Sequence, residues 1–184
     1  MHPCGCLHTN HRKLHEHRYP GRASQRRRTD PAFIVELAIY EKAEHEVIAS
    51  TADIERSLFE PGSPARALIC EIDGQPVGYA VYFLSYSTWL GRKGMYLEDL
   101  YVSPKHRGSG AGKRLLRHLA RLAFDSGCGR FEWSVLDWNE PAIQFYQSLG
   151  AKPQAEWVRY RMAGDTLRQF AQGAEHTGQA LPTP

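Results

Sequence analysis

The 184-residue sequence has no long apolar run. Its longest strongly apolar stretch, roughly Tyr79–Leu84, is far short of the ~20 residues that a membrane-crossing helix needs, so a membrane role is not expected. The first thirty residues hold no apolar run of ~7–15 residues either, which argues against a secretory leader. Cysteine is sparse, with four residues at 4, 6, 70 and 128. Cys4 and Cys6 are two apart, which is not a usual zinc spacing, and with no leader the thiols are expected reduced in a cytoplasmic setting. Internal repeats are also lacking. What remains is a chain 42% apolar and 23% charged, the ordinary balance of a globular domain large enough to bury a core without disulfides or a structural metal.

The charge is unevenly placed. Residues 1–30 carry seven basic side chains (Arg12, Lys13, Arg18, Arg22, Arg26, Arg27, Arg28) against Glu16 and Asp30, a net of +5. Taken from totals of 23 basic and 20 acidic, this leaves 16 basic and 18 acidic, a net of −2, for residues 31–184. A cationic arm can touch any polyanion, but the body lacks the charge of a general nucleic-acid binder. Nucleic acid is therefore expected only as a weak partner of the arm. His2, His8, His11, His15 and His17, with Cys4 and Cys6, are metal-ligating residue types. No helical or strand period organises them, and a segment without regular structure is the simpler expectation. The division expected is an extension at 1–21, a folded domain at 22–171 and a flexible tail at 172–184. A chain starting near Tyr19 is then expected to fold.

Within the domain, helical spacing runs from Asp30-Pro31 to about Ala43, and again over Thr51–Phe59 with Ser50 or Thr51 as cap. Arg66–Glu71 and Pro76–Tyr86 read as strands joined at Asp73-Gly74, an antiparallel hairpin. Met95–Val102 is a further strand. Lys113–Phe124 is a helix with Leu115, Leu116, Leu119, Leu122 and Ala123 on one face. Arg130–Leu136 alternates as a strand, and Asn139–Leu149 is a short helix ended by Gly150. Trp157–Met162 reads as a last strand and Gly164–Ala171 as a terminal helix. The mixture is α+β.

Between the strand ending at Val102 and the helix at Lys113 lies Ser103-Pro-Lys-His-Arg107-Gly108-Ser109-Gly110-Ala111-Gly112-Lys113-Arg114. Small residues let the backbone approach a ligand, and a helix start offers unpaired N–H groups and a positive dipole end. This is a phosphate or pyrophosphate cradle. A Walker A loop would need Gly where Arg107 stands and Ser or Thr where Arg114 stands. A dinucleotide fingerprint would need G-x-G-x-x-G, and the spacing here is G-x-G-x-G.

Arg107-x-x-Gly110-x-Gly112 instead resembles the Q/R-x-x-G-x-G/A signature of the GNAT acetyltransferase superfamily. Three further stretches resemble its diamine (spermidine/spermine) acetyltransferase branch. They are Glu36–Glu41, Tyr86–Val102 with Tyr96-Leu97-Glu98-Asp99-Leu100-Tyr101-Val102 at its end, and Trp138–Ala151 with Asn139-Glu140-Pro141. The departure is at the front, where the family's first strand would fall on Arg22–Thr29, degraded or shifted toward Tyr19–Ser24.

The resemblance implies a mixed, mostly antiparallel sheet flanked by helices, acetyl-CoA as co-substrate, no metal, and a homodimer. It implies transfer of the acetyl group to a primary amine of a small di- or polyamine or lysine-like molecule. Acetylation of a protein lysine or an antibiotic, or an inactive acyl-CoA-binding module, are the alternatives. A primary alkyl amine of pKa about 10.4 is neutral in only about one molecule in 10³ at pH 7. A carboxylate with a water path, or the bulk buffer, must therefore take its proton, and Glu98 is the candidate because in the resembling family the matching glutamate faces the acceptor amine. Tyr146 matches the general acid that protonates the departing thiolate. Leu100, Tyr101 and Val102 would bond the pantetheine arm through their backbone. Arg107, Gly108, Ser109, Gly110, Ala111, Gly112 and Lys113 would hold the pyrophosphate, and Asn139 would cap its helix and touch the cofactor. Tyr40, Glu41, Trp89, Glu98 and Asp99 are the candidates for binding the cationic acceptor, through carboxylate charge and aromatic faces.

Overall fold

The computed structural model describes residues 12–16 and 31–173. The chain forms two compact units, Met1–Trp138 and Asn139–Pro184.

The first unit is built on a five-stranded sheet in sequential order. Its strands are β1 (Arg12–Glu16), β2 (Ala65–Ile72), β3 (Gln75–Ser87), β4 (Arg92–Val102) and β5 (Phe131–Trp133). Neighbours from β1 to β4 run antiparallel, and β5 lies parallel to β4. The β2–β3 turn is Asp73-Gly74, with φ of 52° and 78°. That two-residue left-handed pair twists in the sense the strands require. Helix α1 (Pro31–Tyr40) is followed by a left-handed Lys42 (φ 61°), a short 3-10 turn and α2 (Thr51–Phe59). Ser50 and Asp53 form a reciprocal capping box at the start of α2. Helix α3 (Ala111–Asp125) connects β4 to β5.

Strand alternation sends side chains to two faces. On one, Phe33 of α1 packs with Ala67, Ile69, Tyr79, Val81 and Tyr101, and Leu58 of α2 leans on the same cluster. The alternate residues Leu68, Cys70, Ala80 and Tyr82 are buried too. Helix α3 packs on β2, β3 and β4, and buries Leu115, Leu116, Leu119 and Ala123 without contributing to the Phe33 cluster, so it covers this second face. A Cβ at Gly78 would collide with the Tyr101 carbonyl, which explains glycine where β3 and β4 approach beside the loop after Val102.

The second unit holds α4 (Glu140–Ser148) and α5 (Gly164–Ala171). Asn139 caps α4 by accepting from the Ala142 N–H, with proline in the first turn.

Three expectations need correction. A strand stands within the segment assigned to an extension: Arg12–Glu16 pairs antiparallel with Ile72–Leu68. An edge strand is held by backbone hydrogen bonds, which need no apolar period in its own sequence. A chain starting at Tyr19 would therefore lose β1, and the expected first strand at Tyr19–Ser24 lies outside the described residues. The histidines and cysteines from His2 to His11, and His17, lie outside them as well. Trp157–Met162 pairs with no strand among the described residues. Its alternation supplies β-propensity, but a strand also needs a partner edge. Finally, β5 stops at Trp133 rather than Leu136.

Candidate active site

The end of β4 shapes the site. Its pairing with β5 stops at Leu97↔Trp133, while β4 runs on to Val102. Over Glu98–Val102 the β5 side of the strand is therefore without a ladder partner among the described residues. Those backbone groups form an open edge onto which an extended, amide-bearing chain can add as a strand would. Pantetheine is such a chain, and Leu100, Tyr101 and Val102 lie on this edge.

The loop that follows completes the cradle. Ser103 donates its N–H to the Val77 carbonyl, and Pro104–His106 makes one 3-10 turn. Gly108 and Gly110 then take φ of 75° and 83°. Gly110 is the N-cap of α3 in the left-handed conformation, and no side chain caps the helix. The first-turn N–H groups at Ala111, Gly112 and Lys113 thus open at the positive end of a 15-residue helix. A Cβ at Gly108 would meet nothing within 4 Å, so the outer side of the loop is clear for a bulky anion. These features fit the pyrophosphate of acetyl-CoA. Arg107 extends elsewhere. Its Nε donates to the Val102 carbonyl at 3.2 Å, and its guanidinium lies 4.4 Å from the centre of the Tyr40 ring.

Beside this edge, the end of α1 and the end of β4 bring acidic and phenolic groups together. A β-bulge interrupts the β3–β4 register: Val81 faces Asp99 and Tyr82 faces Leu97, leaving Glu98 as the extra residue. Glu98 is exposed and Asp99 half-buried. The fully buried Tyr79 donates its hydroxyl to Asp99 Oδ2 at 3.3 Å. Burial pushes the Asp99 carboxyl up to about 6, and the charges of Glu98 and Glu41 push the same way while the Tyr79 hydrogen bond opposes them. Burial likewise raises Glu41, and it drives the Tyr79 phenol far above its ordinary range. Tyr101 donates to Glu36 Oε2 at 2.7 Å, and burial followed by that carboxylate raises its phenol to about 12. The result is a patch rich in carboxylate, suited to a cation.

Tyr40, Glu41, Glu98 and Asp99 gather here as the sequence suggests. Trp89 does not. It sits in the β3–β4 turn, 86% exposed, beyond the Ser87↔Arg92 pair. Arg92 to Asp99 spans seven residues of strand, about 23 Å at ~3.3 Å each. Within one chain Trp89 is too far to share the carboxylates' ligand. In the second unit, Asn139 is 7% exposed and Tyr146 half-buried, its ring 5.5 Å from that of Phe145. No residue of α4 is fully buried, so Tyr146 is not a core side chain.

Sequence reasoning missed three groups. Tyr79 sits in an apolar strand run that reads as packing alone. Trp138 carries Lys42 4.8 Å from its ring centre and meets Tyr40 at 6.2 Å. Glu36 lies within the Glu36–Glu41 motif, but its bond to Tyr101 spans 65 positions, beyond the reach of spacing arguments.

An open strand edge running into a glycine loop and an uncapped helix start suits a CoA-dependent acyltransferase. The chain belongs to the acetyltransferase (GNAT) family, whose sequence profile matches residues 29–151, and it is an acetyl-CoA-dependent N-acetyltransferase. It is 39% identical over 149 residues to the thialysine N-epsilon-acetyltransferase of Sus scrofa, an alignment covering 75% of this chain and 87% of that one. It is 31% identical over 148 residues to the Homo sapiens spermidine/spermine N(1)-acetyltransferase-like protein 1, covering 75% of this chain and 21% of that longer protein. Among solved structures, an integron cassette protein from the mobile metagenome of V. cholerae superposes with a TM-score of 0.65 at 30% identity, covering 77% of this chain and 88% of that one.

Proposed function

We propose that this enzyme acetylates a primary amine of a small di- or polyamine or of a lysine-like molecule, by direct transfer within a ternary complex with acetyl-CoA. The observation that carries this reading is the carboxylate group of Glu41, Glu98 and Asp99 beside the open β4 edge. Among the described residues no basic side chain pairs with any of the three. Such a patch draws an ammonium group, and the likeness to thialysine and spermidine/spermine-type enzymes supports the same substrate class.

Acetyl-CoA supplies the activated acetyl group. The loop Gly108–Lys113 holds its pyrophosphate, and the Leu100–Val102 backbone bonds its pantetheine, where a backbone N–H also polarises the thioester carbonyl. Asn139 adds a cofactor contact. Glu98 and Asp99 meet the cationic amine, and the loss of its proton falls to this acidic pair. The nitrogen lone pair attacks the carbonyl, the C–S bond breaks, and Tyr146 donates its phenolic proton to the leaving sulfur; the acetylated nitrogen sheds its second proton, and Tyr146 regains one through solvent. Steady-state CoA release with spermidine, putrescine, lysine and thialysine is the test. One or more of them is expected to outpace aminoglycosides and lysine peptides, and the reverse order would assign a different acceptor.

The enzyme works in the cytoplasm as a homodimer. Trp89, at the tip of its hairpin, is a residue that a second copy could use to complete the acceptor site. Light scattering at micromolar concentration is expected to give twice the chain mass, and an active monomer would overturn the pairing.

A further inference from the structure

The sheet register places a second set of groups on the face that carries the acidic patch. Paired residues share a face, and every second residue along a strand returns to it. The row of Val81 and Asp99 is therefore followed, toward the hairpin tip, by a row of Phe83, Tyr96 and Glu132. The next row holds Ser85 and Gly94. Arg130, just before β5, lies over that glycine, where a Cβ would meet its side chain at 3.2 Å. On β3 the apolar cluster shared with α1 ends at Val81. Phe83 and Tyr96 beyond it are half-buried, with ring centres 5.2 Å apart. The Tyr96 hydroxyl is fixed by a 2.8 Å hydrogen bond with Ser134. Arg130 Nε donates to Glu132 Oε2 at 2.7 Å, and both side chains stay partly open to water. Ser85 Oγ is buried with no hydrogen-bond partner among the described residues.

We infer that the Phe83–Tyr96 floor and the Arg130–Glu132 pair bind the far end of the acceptor, and that this end is the α-amino-acid head of a lysine-like molecule rather than the tail of a polyamine. This deepens the amine-acetyltransferase reading and rests on it. One row separates Asp99 from Tyr96 and Glu132, about 7 Å at ~3.3 Å per residue. The four-carbon stem of a lysine-like amine bridges such an interval. Its methylenes lie on the two rings while its side-chain ammonium meets the acidic patch. An amino-acid head carries one carboxylate and one ammonium. Arg130 offers the carboxylate a planar fork of N–H donors, and Glu132 offers the ammonium an acceptor. The Ser85 hydroxyl beside Arg130 gains a partner in the same carboxylate. A polyamine brings only further cations. Arg130 already engages Glu132, so a second ammonium there meets a charge of its own sign.

Two analogues of lysine separate the contacts. Cadaverine is lysine without its carboxylate, and ε-aminocaproate is lysine without its α-ammonium. Arg130→Gln should lower the lysine-to-cadaverine ratio of kcat/KM by ~10–10²-fold, by a loss for lysine and a gain for cadaverine as Glu132 is freed. Glu132→Gln should lower the lysine-to-ε-aminocaproate ratio by ~10-fold or more. Both losses should sit in KM, because neither residue touches the reacting atoms. An ion pair this exposed contributes little to stability, so both variants are expected to fold.

The experiment measures kcat and KM for lysine, cadaverine and ε-aminocaproate with the full chain and the two variants at saturating acetyl-CoA, with melting curves alongside. A wild-type order led by lysine, with each ratio falling in its own variant, supports the assignment. If either variant fails to fold, the other ratio and the wild-type order decide it. A wild type that prefers cadaverine to lysine, or ratios unchanged in folded variants, would overturn it and leave the amine reading intact. Wild-type enzyme that releases no CoA in response to these three or to spermidine would overturn the amine reading itself, and this inference with it.

Discussion

Tyr146→Phe is expected to lower turnover by ~10²–10⁴-fold, the usual scale for a lost general acid, with acetyl-CoA affinity unchanged. The substitution deletes one O–H and keeps the ring that lies against Phe145. Helix α4 keeps its Asn139 cap and its first-turn proline, so the position of residue 146 is preserved. A phenol of pKa near 10 is a suitable donor to a departing thiolate, and phenylalanine offers no proton. Because the interaction forms as the C–S bond breaks, kcat and kcat/KM should fall together. Single-turnover rates separate the chemical step from product release. Near-wild-type chemistry would remove Tyr146 from the mechanism and leave it a ring contact with Phe145.

Much of the fold is legible in the sequence because local rules agree with one another. Ser50 followed by Asp53 marks the start of α2, Asp73-Gly74 marks the hairpin, and the leucine period of α3 matches its buried face. The glycine loop is legible for the same reason: left-handed φ at Gly108 and Gly110 is what the residue type anticipates. What escapes is whatever depends on a distant partner. Strand β1 is an edge strand in a basic segment, specified by the β2 backbone rather than by its own pattern. Trp157–Met162 shows the converse, a strand-like pattern that pairs with no strand among the described residues.

The site divides along the same line. Its residue types are visible in order along the chain, but their grouping is not. Spacing alone cannot say that β4 carries a bulge at Glu98, because a bulge is defined only against β3. Nor can it pair Tyr79 with Asp99, twenty residues apart across a hairpin. Trp89 is the opposite case: an aromatic residue close to Glu98 in sequence that strand geometry carries about 20 Å from it. Proximity in sequence within a strand means separation in space, whereas Tyr40 and Arg107, far apart in sequence, stack at 4.4 Å.

Gly110→Val is expected to weaken acetyl-CoA binding by ~10²–10⁴-fold. Two effects combine, and they can be separated. Gly110 holds φ at 83°, a conformation that costs a non-glycine residue about 1–3 kcal/mol and a β-branched one toward the upper end. That cost appears as lost stability, or as a shifted loop. The second effect is local to the ligand. Gly110 is the N-cap of α3, so a branched side chain there stands beside the N–H groups proposed to meet the pyrophosphate. Losing two charge-assisted hydrogen bonds at about 1.5–3 kcal/mol each amounts to about 3–6 kcal/mol, which gives the range above. Gly110→Ala is the graded comparison, since it carries a smaller backbone penalty and a smaller side chain. Calorimetry with acetyl-CoA on folded protein should rank glycine tightest, alanine intermediate and valine weakest, and the melting temperatures should fall in the same order. Equal affinities for glycine and valine would mean that the pyrophosphate does not rest on this helix start. The open β4 edge would then have to hold acetyl-CoA by its pantetheine arm alone.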